Sequence, residues 1–145
     1  MTNSAAPSFE QMLIDDMRAH GGQVTTGPLA GHPILILTST GARSAEPREA
    51  LLTWSRDGGD YIVAGTAGGS PTTPAWVENV RRYPHVTIEV GNRTFDGSAT
   101  VRENGDERDR LWAQHVERLP HFGEYSKKTD RVFPVVRLTP GPEHR

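Results

Sequence analysis

Two short turns constrain this chain more than any other feature. Arg56-Asp57-Gly58-Gly59 and Gly91-Asn92 each interrupt runs of alternating or apolar residues. Asp-Gly and Gly-Asn pairs accept the positive φ angles that a tight hairpin demands. The flanking runs then read as antiparallel strands: Arg48–Trp54 with Tyr61–Gly65, and His85–Val90 with Arg93–Val101. Pro33–Thr38 is a further apolar run of strand length, and a last strand lies around Val132–Leu138. Helical spacing appears in three places. Ser8 reads as an N-cap with Gln11 in the capping-box position and Phe9, Met12, Leu13 and Met17 on one face, ending near Gly21-Gly22. Thr73 and Pro74 read as N-cap and first residue of a helix stopped by Pro84, and Asp106–Leu119 carries Leu111, Trp112, His115, Val116 and Leu119 on one side. Six strands, two tight hairpins and no sustained β–α alternation predict a mainly β (α+β) fold, a six-stranded antiparallel barrel with about three flanking helices.

At 145 residues, without a linker, repeat or low-complexity tract, the chain reads as a single domain over 1–145. Residues 1–30 form an N-terminal helix and arm, and 139–145 a frayed polar tail. A net charge of −2 gives no global field for nucleic acid. The absence of cysteine excludes thiol catalysis, cysteine-bound zinc and disulfides, and agrees with a cytoplasmic setting. No apolar run is long enough to span a bilayer, which leaves peripheral membrane contact as the only membrane option. Monomer and homodimer both remain open. The histidines His20, His32, His85, His115, His121 and His144 show neither HxxxH nor HExxH spacing, so no metal site is expected. No Gly-x-Ser-x-Gly elbow is present, and any catalysis must rest on a cofactor.

Two segments suit an anionic, phosphorylated ligand. Leu37-Thr38-Ser39-Thr40-Gly41-Ala42-Arg43-Ser44-Ala45-Glu46-Pro47-Arg48 runs from an apolar strand into a hydroxyl-rich turn with two arginines. Thr66-Ala67-Gly68-Gly69-Ser70 and the following Pro71–Trp76 form a glycine loop entering a helix, whose N-terminus offers free amides. Each has a plain alternative: surface ion pairs of Arg43 with Glu46 and Arg48 with Glu49, and a mobile connector. Neither G-x-G-x-x-G nor a P-loop is present. Trp76 is either core or a wall beside a flat cofactor. Tyr125 and Phe122, in the loop His121–Arg131, either pack under that loop or cover a pocket mouth.

From roughly Pro33 to Pro140 the chain resembles the deazaflavin (F420)-dependent nitroreductases, also called F420H2-dependent quinone reductases. Members look like L-x-T-x-G-R-[KR]-[ST]-G-x-P-R, S-K-G-G, P-x-W-x-x-N-[LV], N-P-x-V and a late aromatic loop before T-D-R. Here these read Leu37–Arg48, Thr66-Ala67-Gly68-Gly69, Pro74–Val80, Tyr83-Pro84-His85-Val86, and Phe122–Tyr125 before Thr129-Asp130-Arg131. The resemblance implies a split β-barrel related to flavin-mononucleotide (FMN)-binding barrels, and coenzyme F420, which joins a deazaflavin ring to a phosphate and a glutamate tail. It places Arg43, Ser44 and Arg48 at the phosphate and tail. Glu49, Ala50, Leu51, Leu52, Ala64, Gly65, Thr66, Ala67, Ala75, Trp76, Val77 and Asn79 would line the rest of the cofactor groove. Tyr125 matches a substrate-site tyrosine with a catalytic role, Thr66 stands where the family has serine, and Thr53 and Phe122 would face the same pocket. The implied reaction is hydride transfer to a quinone, an α,β-unsaturated lactone or a nitroaromatic compound. Alternatives on the same barrel are an FMN oxidoreductase and a non-catalytic carrier of F420, haem or fatty acid. Ala42, Ala45 and Ala67 replace a basic residue, a glycine and a lysine of the pattern; Arg81, Arg82 and Lys127 are candidates to compensate.

Overall fold

A computed structural model describes residues 9–27 and 29–144. The expected N-cap at Ser8 lies outside them. Seven strands lie among the described residues: β1 (Ile34–Thr40), β2 (Pro47–Thr53), β3 (Ser55–Asp57), β4 (Asp60–Ala64), β5 (His85–Val90), β6 (Arg93–Arg102) and β7 (Val135–Glu143). The helices are α1 (Phe9–Ala19), α2 (Ala75–Arg82), α3 (Asp106–Arg118) and the single turn α4 (Phe122–Tyr125). All neighbouring strands are antiparallel, in the order β2-β1-β5-β6-β7-β4-β3. The sheet curls into a half-barrel. None of the helices among the described residues is long and apolar enough to cross a membrane.

Six strands were expected and seven form. The Asp-Gly hairpin closes on its own short strand, β3, which Trp54 separates from β2. The tail is a second correction. Rather than fraying after Leu138, the chain stays in β7 through Glu143, with Gly97 opposite Pro140 and Phe95 opposite Glu143. A register shift between Phe95 and Gly97 lets β6 follow it. The third correction is at α2, where Pro74 takes the N-cap position, and at 122–125, where the expected loop contains a helical turn.

Alternation along the strands builds two cores. Leu35, Leu37, Val63, Ile88, Val136 and Leu138 point inward and meet Trp76, Val77 and Val80 of α2. Ile34 and Ile36 point outward and are covered by Leu13, Ile14 and Met17 of α1. Each fully buried aliphatic side chain contributes about 1.5–3 kcal/mol relative to exposure. One helix therefore fills the barrel and another seals its outside. Between them the edge strand β2 is left with a free side.

Candidate active site

The turn after β1 is held by two backbone hydrogen bonds, Gly41 N–H to Glu46 O at 2.7 Å and Ala45 N–H to Gly41 O at 2.9 Å. The Ser44 hydroxyl accepts from the Glu46 N–H at 3.2 Å. Asn79 of α2 fastens this turn to the helix, accepting from the Ala42 N–H at 2.9 Å and donating to Ser39 Oγ at 3.3 Å. The Asn79 carboxamide is thus spent on the fold, though the residue also lines the cavity beside it.

That cavity, about 680 Å³, lies between the arginine turn, β2 and the start of α2; Arg43, Ser44, Arg48, Glu49, Ala50 and Ala75 are among its walls. Its acids are engaged. Glu49 is bridged by Arg18 at 2.6 Å, Glu78 pairs with Arg81, and Glu10 accepts from the Leu51 N–H at 3.2 Å. Arg48 lies 3.8 Å from Glu46, while Arg43 has neither an ion pair nor a hydrogen bond to any described residue. The surface-pair alternative therefore fails at Arg43, and Glu49 is paired elsewhere. The turn leaves the Arg43 and Ser44 amides without acceptors among the described residues.

The glycine loop is shaped from behind. Arg131 donates to Gly65 O at 3.0 Å, Thr66 O at 3.0 Å, Ser70 O at 2.8 and 3.1 Å, and Thr73 Oγ1 at 3.2 Å. Burial lowers its pKa without making it neutral, and its fork spans carbonyls that no lysine would reach together. The loop turns left-handed at Ala67, Gly68 and Gly69, with φ of 46°, 65° and 90°. A Cβ on Gly69 would come within 3.0 Å of Lys128 and of Tyr125 O, so only glycine lets this loop meet α4. Sequence reasoning gave Arg131 no role; its place in the T-D-R run was the one available signal.

A second cavity, about 300 Å³, opens beside this loop, lined by residues that include Thr53, Thr66, Ala67, His121, Phe122 and Tyr125. Ala50, Trp76 and Glu10 border both cavities, so the two lie side by side with these residues between them and together form one cleft region. Leu51, Leu52 and Ala64 also line the second part. Ser44 and Gly68 thus line adjoining cavities on the same side of the molecule. Trp76 is 9% exposed, so its body belongs to the core while one edge borders the cleft. Two expected residues are not in the walls of either cavity. Val77 is fully buried in the barrel core, and Gly65 is pressed against it, where a Cβ would lie 2.7 Å from Val77 Cγ2. Nor do the candidate compensating cations line the cleft: Arg81 pairs with Glu78 and Glu103, Arg82 stacks on Tyr83, and Lys127 pairs with Glu124.

One end of the cleft thus carries Arg43, whose guanidinium has no partner among the described residues, and the other carries the Tyr125 hydroxyl and His121 imidazole, likewise without hydrogen-bond partners there. Comparison with known proteins gives the chain its family. The family model of the F420H2-dependent quinone reductases matches residues 11–140. The chain belongs to that family. The F420H2-dependent quinone reductase of Mycobacterium tuberculosis is 36% identical over 109 residues, which cover 74% of this chain and 73% of that relative. A solved F420-H2 dependent reductase, FDR-A, is 36% identical with a TM-score of 0.66, covering 73% of this chain and 93% of its own. A solved domain-swapped dimer is 30% identical with a TM-score of 0.69, covering 88% and 95%. HutZ of Vibrio cholerae, at 19% identity and a TM-score of 0.54, shares the fold alone. As a member of the family, the protein is an F420H2-dependent reductase, and its cofactor is coenzyme F420.

Proposed function

We propose that the joined cleft holds coenzyme F420 with its anionic phosphate and tail at Arg43, Ser44 and Arg48, its ring beside Ala50, Trp76 and Thr66, and a quinone-like acceptor against Tyr125. The observation that carries this reading is that the two cavities adjoin at Ala50 and Trp76, with a guanidinium at one end and a phenol at the other that have no partner among the described residues. The donor set fits the group. Arg43 and two free turn amides suit a phosphate, while Ala50, Leu52, Ala64 and Trp76 suit a flat ring.

When bound and reduced, the deazaflavin supplies a hydride. The protein's own residues bind, orient and shield. Arg131 fixes the glycine loop, Asn79 fixes the arginine turn, and both thereby set the spacing between the cationic end and the reaction end. β2 is an edge strand, and from it the Leu51 N–H donates to Glu10 in the cleft wall. The Tyr125 hydroxyl, with no partner among the described residues, is free to donate to the acceptor's oxygen.

Fluorescence titration with F420 tests the proposal. Arg43→Ala is expected to weaken binding by roughly tenfold or more, the usual worth of a charge-assisted phosphate contact, with the fold unchanged by circular dichroism. Unaltered affinity would remove Arg43 from the site. The same titration with FMN separates the flavin alternative, and turnover of a quinone separates an enzyme from a carrier.

A further inference from the structure

His121 lies beside Tyr125 in the reaction end of the cleft, their rings 5.9 Å apart at 86°. Phe122, 6% exposed, packs against both rings at 4.7 and 5.3 Å and fixes their relative position from below. Neither the imidazole nitrogens nor the phenol oxygen has a hydrogen-bond partner among the described residues. Two unpaired donors held side by side in one small cavity match the two lone pairs of a single carbonyl oxygen.

We propose that His121 and Tyr125 together form a two-donor site for the acceptor's oxygen, His121 giving a neutral ring N–H and Tyr125 its O–H. The proposal rests on the function argued above and names the acceptor class: a conjugated carbonyl, as in a quinone or an enone. The acceptor gains a hydride, and with it two electrons from the reduced deazaflavin, which is oxidised. Its π pair moves onto oxygen, and the oxyanion is held by both hydrogen bonds until it takes a proton from Tyr125, which recovers one from water. The groups facing His121 are His32 before β1 at 5.2 Å, His115 of α3, Tyr125 of α4, and Glu10 of α1, which lines the same cavity. Burial first, and His32 second, hold the imidazole below its ordinary pKa, so the ring stays neutral near pH 7 and acts as a donor rather than an acid.

The test uses His121→Phe, His121→Gln and Tyr125→Phe in the full-length protein. With 1,4-benzoquinone as acceptor, His121→Phe is expected to lower kcat on the order of a hundredfold, the usual cost of one oxyanion donor, at unchanged F420 affinity. His121→Gln, which keeps an N–H donor, should recover most of that loss. A second readout needs no turnover: absorbance of bound 4-nitrophenol. The parent protein should favour the phenolate form, and His121→Phe and Tyr125→Phe should each shift binding toward the neutral phenol. Full benzoquinone turnover in His121→Phe, or phenolate binding indifferent to both changes, overturns the proposal. Failure of F420 to bind would instead sink the function argued above, and the phenolate arm would still decide this one.

Discussion

Ala45 and Ala67 show what a single side chain does to a ligand loop. Both adopt positive φ, 59° and 46°, in the two turns that flank the cleft. A Cβ in that region costs about 1–2 kcal/mol, and the hydrogen bonds around Gly41 and Glu46 hold Ala45 there regardless. Ala45→Gly should relieve this strain while adding unfolded-state entropy of about 0.4–1 kcal/mol. A net gain near 0.5 kcal/mol is expected, visible as a rise in Tm on the order of 2 °C in calorimetry. A fall in Tm would mean the Ala45 methyl makes packing contacts that outweigh its strain. Ala67 also stands where the family pattern has lysine. With the loop already shaped by Arg131, the lost side chain subtracts a charge and leaves the geometry intact.

At the scale of elements, the site is a matter of attachment. Helix α2 fills the barrel with Trp76, Val77 and Val80 and, through Asn79, reaches out to the arginine turn. Asn79→Ala leaves the Ala42 amide and Ser39 hydroxyl unpaired, at a cost of about 1–3 kcal/mol. The turn should then loosen, so chemical denaturation and F420 titration should both report the change. Loss of stability without loss of affinity would show that the turn keeps its shape alone. Much of this was legible beforehand. Gly91-Asn92 located the β5–β6 hairpin, whereas the partner of β4 across Asp57-Gly58 is the short β3 and not Arg48–Trp54, which pairs with β1. Arg43, Ser44, Arg48, Glu49, Ala50, Thr66, Ala67 and Trp76 stand in the cavity walls where motif position put them. What escaped was non-local. Val77 and Gly65 carry the right spacing but face the core, because the helix phase that puts Trp76 at the cleft edge turns Val77 inward. Arg131 acts on a loop far earlier in the chain, at a separation in sequence that no local pattern encodes.

For the molecule as a whole, acid sensitivity between neutral pH and about pH 4 is expected to be set by His115. His115 is fully buried on α3, with Nδ1 2.7 Å from Ser55 Oγ and Nε2 unpartnered among the described residues. Burial pushes its pKa down to about 4. The unfolded chain therefore binds this proton from about pH 6.5 downward while the folded chain does not. Stability should decline as pH falls from 6.5 to about 4, by on the order of 3 kcal/mol, and level off below. His115→Gln, which can keep the Ser55 hydrogen bond, should flatten that slope in denaturation curves taken across the range; an unchanged slope would acquit His115. Asp57 works in a lower window. Arg110 and Arg137 hold its carboxyl well below the usual range, so its contribution is present above about pH 4 and is lost only on further acidification.

The position of β7 has a consequence for how the chain reaches this state. The hairpin of β3 and β4 joins the remaining strands only through β7, which lies between β4 and β6 yet comes after all of them in the sequence. During synthesis, then, neither half of the sheet can recruit the other until the C-terminal segment emerges. The wall bearing Ala64 and Thr66 takes its place opposite β2 at the same moment, and a ribosome-bound chain lacking those final residues should have no cleft in which to capture a coenzyme.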